Sequence, residues 1–197
     1  MRRLLSALIL LLAGLSPAMA QPLQIGVPTY YASILGFSTP AGATDVACLE
    51  GAAGKVVKLA GAFLSGTVES GTASILNVLS LRRVTLNAGG TSATILTASG
   101  NPTHKPPLAK LRVWSVSPTT LGTPDPAGST FRALRWDISS VLSSPDTSPM
   151  ISAQVNNPYT SQPEIRNAAH AICLSYQAET VPATKINLNL VWTETDS

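Results

Sequence analysis

The sequence predicts an all-β protein, an antiparallel β-sandwich of jelly-roll type with about nine or ten strands. Three observations predict it. Short runs rich in Val, Ile, Leu and Thr recur along the chain, clusters of Gly, Pro, Ser and Asn separate them, and no long run has the apolar spacing of a helix. This pattern is typical of packed antiparallel sheets, because each short strand ends at a turn signal. The chain shows no internal repeat and no interior boundary, so residues 21–197 are expected to form a single domain.

The first twenty residues have the three parts of a secretory signal peptide. Arg2 and Arg3 give a positive start, residues 4–15 form an apolar run, and residues 16–20 end in the small-x-small pattern that signal peptidase cleaves. The apolar run is shorter than the roughly 20 residues that a membrane-spanning helix needs. Residues 1–20 are therefore predicted to be removed. The mature chain is expected to have no membrane span and to be secreted or periplasmic, either free or held at a surface or in a particle.

The ten strand-like segments each end at a turn or proline signal. In chain order they are 30–37, 44–50, the two arms of 55–84, 92–98, 109–116, 131–138, 150–155, 168–179 and 185–194. The last has the clearest pattern, because Ile186, Leu188, Leu190 and Trp192 alternate with polar or smaller residues. That alternation predicts one buried face and one wet face.

The segment 55–84 is predicted to be the central hairpin of the sandwich. Its two apolar arms flank residues 69–71, a break that contains the glycine a tight turn needs. Two lysines begin the first arm, and Arg82 and Arg83 end the second, so a hairpin would gather four cations at one sheet edge. Such an edge either faces a partner or an anion, or prevents edge-to-edge pairing of strands.

Cys48 and Cys173 are the two cysteines of the chain, and each lies in a strand-like run. Export favours oxidation, so a disulfide is one interpretation. Two buried cysteines that never meet are the other, because bridged positions must face each other within a few ångströms. A bridge across so long a loop is worth about 4–5 kcal/mol in the chain-entropy model. A zinc site is not expected, because no second pair of Cys or His lies at ligand spacing.

Composition argues against a nucleic-acid partner. The chain has 13 Lys and Arg against 10 Asp and Glu, and removal of Arg2 and Arg3 leaves 11 against 10, a net charge of +1. Only 12% of the residues are charged, while Ser, Thr, Ala, Gly and Pro are abundant, as in extracellular β proteins. No nucleic acid is therefore expected to bind.

The sequence carries no recognisable catalytic or cofactor motif. His104, in a proline-rich loop, and His170, at the start of a strand, are interpreted as exposed or structural residues. Neither a nucleophile elbow nor a phosphate-binding glycine loop occurs. No enzyme activity and no cofactor are expected. One weaker alternative is a glycan-cleaving pair of carboxylates. Its candidate members are Asp125, Asp137, Asp146 and Glu164.

The aromatic residues fall into two groups. The tryptophans lie inside alternating runs, which favours packing in the core over a platform for sugar rings. They are Trp114, Trp136 and Trp192. Three tyrosines are flanked by loop-forming residues and are better candidates for exposed contacts. They are Tyr30, Tyr31 and Tyr159.

Several strand and turn segments share a recognisable pattern: TDVACLEG at 44–51, KVVKL at 55–59, SLRRV at 80–84, NAGGTS at 87–92, TLGT at 120–123 and LVWTE at 190–194. Together they resemble a group of small, mostly uncharacterised β proteins that tailed phages often carry among their structural genes. The resemblance implies a jelly-roll-like, oligomeric particle or surface component, with no known active residues to carry over. The leader indicates export, which phage particles assembled in the cytoplasm do not need.

Two classes of function follow. The favoured one is an exported, non-enzymatic structural or interaction protein that forms a homo-oligomer or binds a protein partner in a surface or virion-like assembly. Its contact residues are expected among Tyr30, Tyr31, Tyr159, Arg82 and Arg83. The alternative is a secreted carbohydrate-binding module that uses exposed Trp and Tyr rings on a sandwich face.

Overall fold

The protein is built from β-strands alone in the residues that the structure, a computed structural model, describes: 27–68, 74–126, 130–138, 149–152, 162–177 and 184–197. These residues form twelve strands, and ten of them have four residues or more. The strands are β1 (Thr29–Ser38), β2 (Asp45–Glu50), β3 (Lys55–Val68), β4 (Ser74–Arg83), β5 (Thr91–Ile95), β6 (Ala98–Ser99), β7 (Lys110–Val116), β8 (Thr130–Ile138), β9 (Pro149–Ser152), β10 (Glu164–Ile165), β11 (Ala171–Tyr176) and β12 (Thr184–Asp196).

The strands form two antiparallel sheets. Sheet I has the order β10-β3-β12-β1-β6, with β9 also paired to β3, and sheet II has the order β5-β7-β2-β11-β4-β8. The predicted all-β antiparallel sandwich is confirmed. Within the described residues, no helix is long and apolar enough to cross a bilayer. The predicted signal peptide at 1–20 lies outside the described residues.

The pairing is nested, which makes the sandwich a jelly roll. Strand β1 pairs with β12, β2 with β11, β3 with β9 and β10, and β4 with β8. The first half of the chain therefore pairs with the second half in reverse order, as in a long two-stranded ribbon rolled into two sheets. Strands β5 to β7 are an insertion in this ribbon. Two of them, β5 and β7, widen sheet II beyond β2, and β6 widens sheet I beyond β1.

The predicted central hairpin is wrong. Strand β3 pairs with β12 in sheet I, and β4 pairs with β11 and β8 in sheet II, so the two arms of 55–84 belong to different sheets. A chain that crosses between sheets has arms as apolar as those of a hairpin, because both arms help to cover the same core. The four cations of these arms consequently do not form one edge. Lys55 pairs with Asp196, and Arg83 pairs with Asp45.

The core between the sheets follows the alternation of the strands. The alternating residues of β12 that the sequence predicted to be buried are all buried: Ile186, Leu188, Leu190 and Trp192. From sheet II, Leu49, Leu111 and Ile172 belong to the same apolar cluster. The opposite face of β12 carries Asn187 and Asn189 and points away from this core.

Candidate functional site

The outer face of sheet II, the face turned away from the core, carries a buried disulfide. Cys48 on β2 lies directly opposite Cys173 on β11, with the two Cα atoms 4.0 Å apart, and the sulfurs are bonded. The predicted disulfide is therefore confirmed. Together with Trp114 and Ala171, the two cysteines form an apolar cluster separate from the main core. Trp114 is only 1% exposed, although its neighbours Leu111 and Val113 face the opposite side of β7.

A buried ion pair lies beside this cluster. Arg83 donates from Nε to Oδ2 of Asp45 and from Nη2 to Oδ1, both at 2.8 Å. Asn87 donates from Nδ2 to the same carboxylate at 2.9 Å, and Arg83 also donates to the carbonyl oxygen of Gly122 at 2.7 Å. Two-point pairing with further hydrogen bonds is the arrangement that a buried charge pair requires.

These bonds hold two loops over the outer face of sheet II. The N–H of Gly122 donates to Oδ1 of Asn87 at 2.7 Å, and Ala88 and Thr120 form a two-way backbone bridge. A Cβ atom at position 122 would collide with the carbonyl oxygen of Thr85, so only glycine permits this approach of the loops. Four of the segments quoted for the resemblance, 44–51, 80–84, 87–92 and 120–123, thus contribute residues to one cluster of hydrogen bonds.

The outer face of sheet I has no such cover among the described residues. On β1, Tyr31 is 43% exposed and Leu35 86%, and on β3 Phe63 is 40% exposed. The register places Tyr31 beside Val191 of β12, and Phe63 beside Asn189. We define these five residues as the contact face. Asn189 is exposed, and its side-chain amide makes no hydrogen bond within the described residues.

A pocket of about 520 Å³ lies at one end of the sandwich, between the ends of β1, β3 and β12 and the segment 103–108. Glu194, buried in its wall, accepts hydrogen bonds at 3.0 Å from the backbone N–H groups of Leu108 and Ala109. It also accepts one from Nε1 of Trp192 at 3.1 Å. Tyr30 donates from its hydroxyl to the carbonyl oxygen of Lys105 at 2.9 Å. These bonds fasten the proline-rich segment to sheet I and give the pocket a fixed wall.

The charges around the pocket shift the pKa values of three groups. Burial, followed by the negative charge of Glu194, raises the pKa of Tyr30. The hydrogen bond from Lys55 to Asp196, 2.6 Å long, lowers the pKa of Asp196 and raises that of Lys55. The positive charge of Lys105 also contributes to the lowered pKa of Asp196.

Four of the five predicted contact residues are described, and they differ in exposure. Tyr31 is exposed as expected, but Tyr30 is only 3% exposed, because it alternates with Tyr31 and points towards the core with Ala32. Arg83 is buried in its ion pair with Asp45 rather than at a free edge. Arg82 is half-buried and pairs with Asp125 at 3.1 Å. Tyr159 lies outside the described residues.

The tryptophan prediction is confirmed for Trp114 and Trp192, which are both buried. The backbone of Trp136 lies on β8, opposite Leu76 of β4. Of the two histidines, His104 is half-buried in the wall of the end pocket, and His170 precedes β11.

Two of the four candidate carboxylates have described side chains, and each of the two belongs to a different ion pair. Asp125 pairs with Arg82, and Glu164 pairs with Arg166 at 2.7 Å. Asp137 belongs to β8, where the backbone alone is described, and Asp146 lies outside the described residues.

One group of potential metal-binding side chains occurs among the described residues: Asp45, Cys48 and Cys173. Both sulfurs belong to the disulfide and cannot act as thiolate ligands, and Arg83 and Asn87 already hold the carboxylate. The cluster is therefore structural.

The alternation of β1 and of β12 was the signal that could have separated Tyr30 from Tyr31 and singled out Glu194. Both Tyr30 and Glu194 share strand parity with buried apolar residues, so a polar group at either position must find partners inside the fold. No signal in the sequence places Asp45 beside Arg83, because the two belong to strands far apart in the chain.

Comparison with known proteins found no protein-family model, curated protein or solved structure that matches this chain. The resemblance to phage-carried β proteins therefore stays a prediction.

Proposed function

We propose that this protein is an exported, non-enzymatic structural or interaction protein that associates with further copies of itself through the contact face of sheet I. It acts as a component of a surface or virion-like assembly. The observation that carries the proposal is a contrast between the outer faces of the two sheets: within the described residues sheet II is covered, whereas on sheet I Tyr31, Leu35 and Phe63 reach solvent.

The contact face suits a second copy of the chain because its central rows carry no charge. Across β1, β12 and β3 the outward positions are occupied by apolar, amide and hydroxyl side chains, and the nearest lysines, Lys58 and Lys185, lie towards opposite ends. Burial of this surface would leave no charge without a partner in the interface, and a buried unpaired charge costs several kcal/mol. Sheets also pack face to face readily, with side chains from the two surfaces interdigitating.

Export is supported by the disulfide between Cys48 and Cys173, since such bonds persist in oxidising compartments. In this proposal the leader at 1–20 is cleaved and the folded domain is released on the far side of the membrane. Mass spectrometry of the protein recovered from an expressing cell gives the site of cleavage. A chain that begins at Met1 would contradict this part of the proposal.

Light scattering coupled to size-exclusion chromatography tests the self-association. The wild-type protein is expected to elute as a defined oligomer, and Leu35→Lys and Phe63→Lys as monomers, because each places a charge in the buried interface. Leu121→Lys is the matched control, since Leu121 is 42% exposed on a loop over the opposite sheet. A wild-type monomer at every concentration, or equal loss with all three variants, would overturn the proposal.

A second candidate function, a carbohydrate-binding module, is favoured by one observation on the same face. Tyr31 and Phe63 are exposed aromatic rings, and the uncommitted amide of Asn189 lies beside Phe63. Rings that stack on sugars and an amide that binds hydroxyls form a common recognition set. A glycan array separates the two candidates. The carbohydrate-binding module would be favoured if the protein is monomeric and binds a glycan, and if Tyr31→Ala and Phe63→Ala each abolish that binding.

A further inference from the structure

The end pocket is a second feature of the molecule that neither candidate function uses. Its volume of about 520 Å³ lies within the range of small-molecule sites, about 300–1,000 Å³. It is independent of the contact face, because its lining comes from the ends of three strands and from the proline-rich segment 103–108.

The pocket wall is held in place before any ligand arrives. The hydroxyl of Tyr30 and the carboxylate of Glu194 bind backbone groups of Lys105, Leu108 and Ala109, so the segment 105–109 is fixed at three points. Asn101 fixes the start of the same loop, because its side-chain oxygen accepts bonds from the N–H and the hydroxyl of Thr103. A fixed wall lowers the entropic cost of binding a small ligand.

Two of the three charged side chains that line the pocket, the acceptor Glu194 and the donor Lys55, already have hydrogen-bond partners. Glu194 already accepts three N–H donors, and the ammonium of Lys55 is bonded to Asp196. The ammonium of Lys105 makes no hydrogen bond or ion pair within the described residues. Among the charged side chains that line the pocket, Lys105 is therefore the one whose hydrogen-bond donors are left for a ligand.

The rest of the lining consists of apolar side chains, the imidazole of His104, and the hydroxyl groups of Tyr30 and Thr103, which already donate hydrogen bonds within the protein. Pro28, Pro106 and Leu108 form the apolar walls of the pocket. The side chain of Leu108 is 55% exposed, because no described residue covers it. Nδ1 of His104 is buried and has no hydrogen-bond partner in the part of the chain that the structure describes. A buried polar atom without a hydrogen bond destabilises the fold. A ligand in the pocket could accept or donate this hydrogen bond after rotation of the imidazole ring.

We propose that the end pocket binds a small organic carboxylate on a ring-sized body, with Lys105 pairing to the carboxylate, the prolines and Leu108 packing on the ring, and His104 bonding a polar substituent. A neutral ring of the same size would keep the packing but lose the charge-assisted bond. The proposal does not depend on self-association, so failure of either leaves the other standing.

Isothermal titration of the full protein with matched probes tests this site. Glucuronate and benzoate are the two carboxylates, and glucose and benzamide are their neutral counterparts. At least one carboxylate is expected to bind about tenfold or more tightly than its neutral counterpart, the usual effect of a charge-assisted hydrogen bond. A preference for glucuronate would identify the ligand class as acidic sugars, and a preference for benzoate would identify it as aromatic acids.

Two variants assign the binding to the pocket. Lys105→Gln is expected to remove the preference for the carboxylate and leave the weak binding of the neutral probe unchanged. Lys185→Gln, the same change at the opposite end of β12, is expected to have no effect. Carboxylates that bind no better than neutral probes, no binding of any probe, or equal loss in both variants would overturn the proposal.

Discussion

The two sheets bury their inner faces in the same way but differ on their outer faces. Sheet II carries a disulfide, a buried tryptophan and a two-point ion pair under two loops that Asn87 and Gly122 join. Sheet I exposes Tyr31, Leu35 and Phe63 with no described cover. Interactions that stabilise the fold are thus concentrated on one face, which leaves the other free to change without loss of stability.

The largest expected effect comes from the buried ion pair of sheet II. Arg83→Met leaves the carboxylate of Asp45 buried with Asn87 as its remaining partner, and we expect the free energy of unfolding to fall by about 3–5 kcal/mol. Urea denaturation monitored by tryptophan fluorescence measures it. Adding Asp45→Asn to Arg83→Met should recover part of the loss, because the stranded charge is gone. If Arg83→Met alone were as stable as the wild type, the ion pair would not contribute to the stabilisation that we assign to the outer face of sheet II.

Truncation of one aromatic residue on each outer face compares the faces directly. Trp114→Ala removes a buried indole from the disulfide cluster and should cost about 3–5 kcal/mol of unfolding free energy. Tyr31→Ala, on the exposed face, should cost less than about 1 kcal/mol. Both values come from the same denaturation experiment. If the two variants lost the same unfolding free energy, Tyr31 would have to be as buried as Trp114. The distinction between the two outer faces would then be wrong.

Removal of the disulfide is expected to have an effect of similar or smaller size. The bridge closes a separation of 125 residues, and Cys48→Ala with Cys173→Ala should lower the free energy of unfolding by about 2–5 kcal/mol. The double variant should also lose its response to reductant, whereas the wild type should be destabilised by it. If reductant affects the two proteins equally, the stabilisation does not come from this bond.

The smallest effect is expected from an exposed ion pair, Lys55 with Asp196. The lowered pKa of Asp196 gives stability that is present above its ordinary value of 3.8 and is lost as the pH falls through the folded value. The raised pKa of Lys55 gives stability that is present below 10.5 and is lost as the pH rises through the folded value.

Asp196→Asn should therefore flatten the acid limb of stability and leave the unfolding free energy at neutral pH nearly unchanged, because the carboxylate is 90% exposed and water screens the pair. Acid titrations of unfolding for the variant and the wild type measure this difference. A loss at neutral pH as large as that of Arg83→Met would contradict the distinction between buried and exposed pairs.

Local alternation predicted much of the fold. The pattern of residues 185–194 predicted the buried face of β12 correctly. The predicted export signal, together with the two cysteines, favoured the disulfide that the structure contains. The crossing between β3 and β4 could not be predicted in this way, because apolar arms around a short break fit a hairpin and a change of sheet equally well. Only the nested pairing of distant strands decides between them.

The candidate sites were less predictable than the fold. Alternation along β7 separates Trp114 from Leu111, yet it does not predict that Trp114 is buried beside the disulfide, because Cys48, Ala171 and Cys173 come from two other strands. The end pocket likewise brings together Pro28, Lys105 and Glu194 from three distant parts of the chain. Contacts of that range leave no local periodicity in a sequence.

The central claim is that sheet I meets partners and sheet II holds the fold together. Carbene footprinting of the protein at low and at high concentration tests it most directly, because the label reports the solvent exposure of individual side chains. Labelling of Tyr31, Leu35 and Phe63 is expected to fall as the concentration rises, while that of Leu86 and Leu121, on the loops over sheet II, stays constant. Loss of labelling at the two loop leucines with none on sheet I would contradict the account.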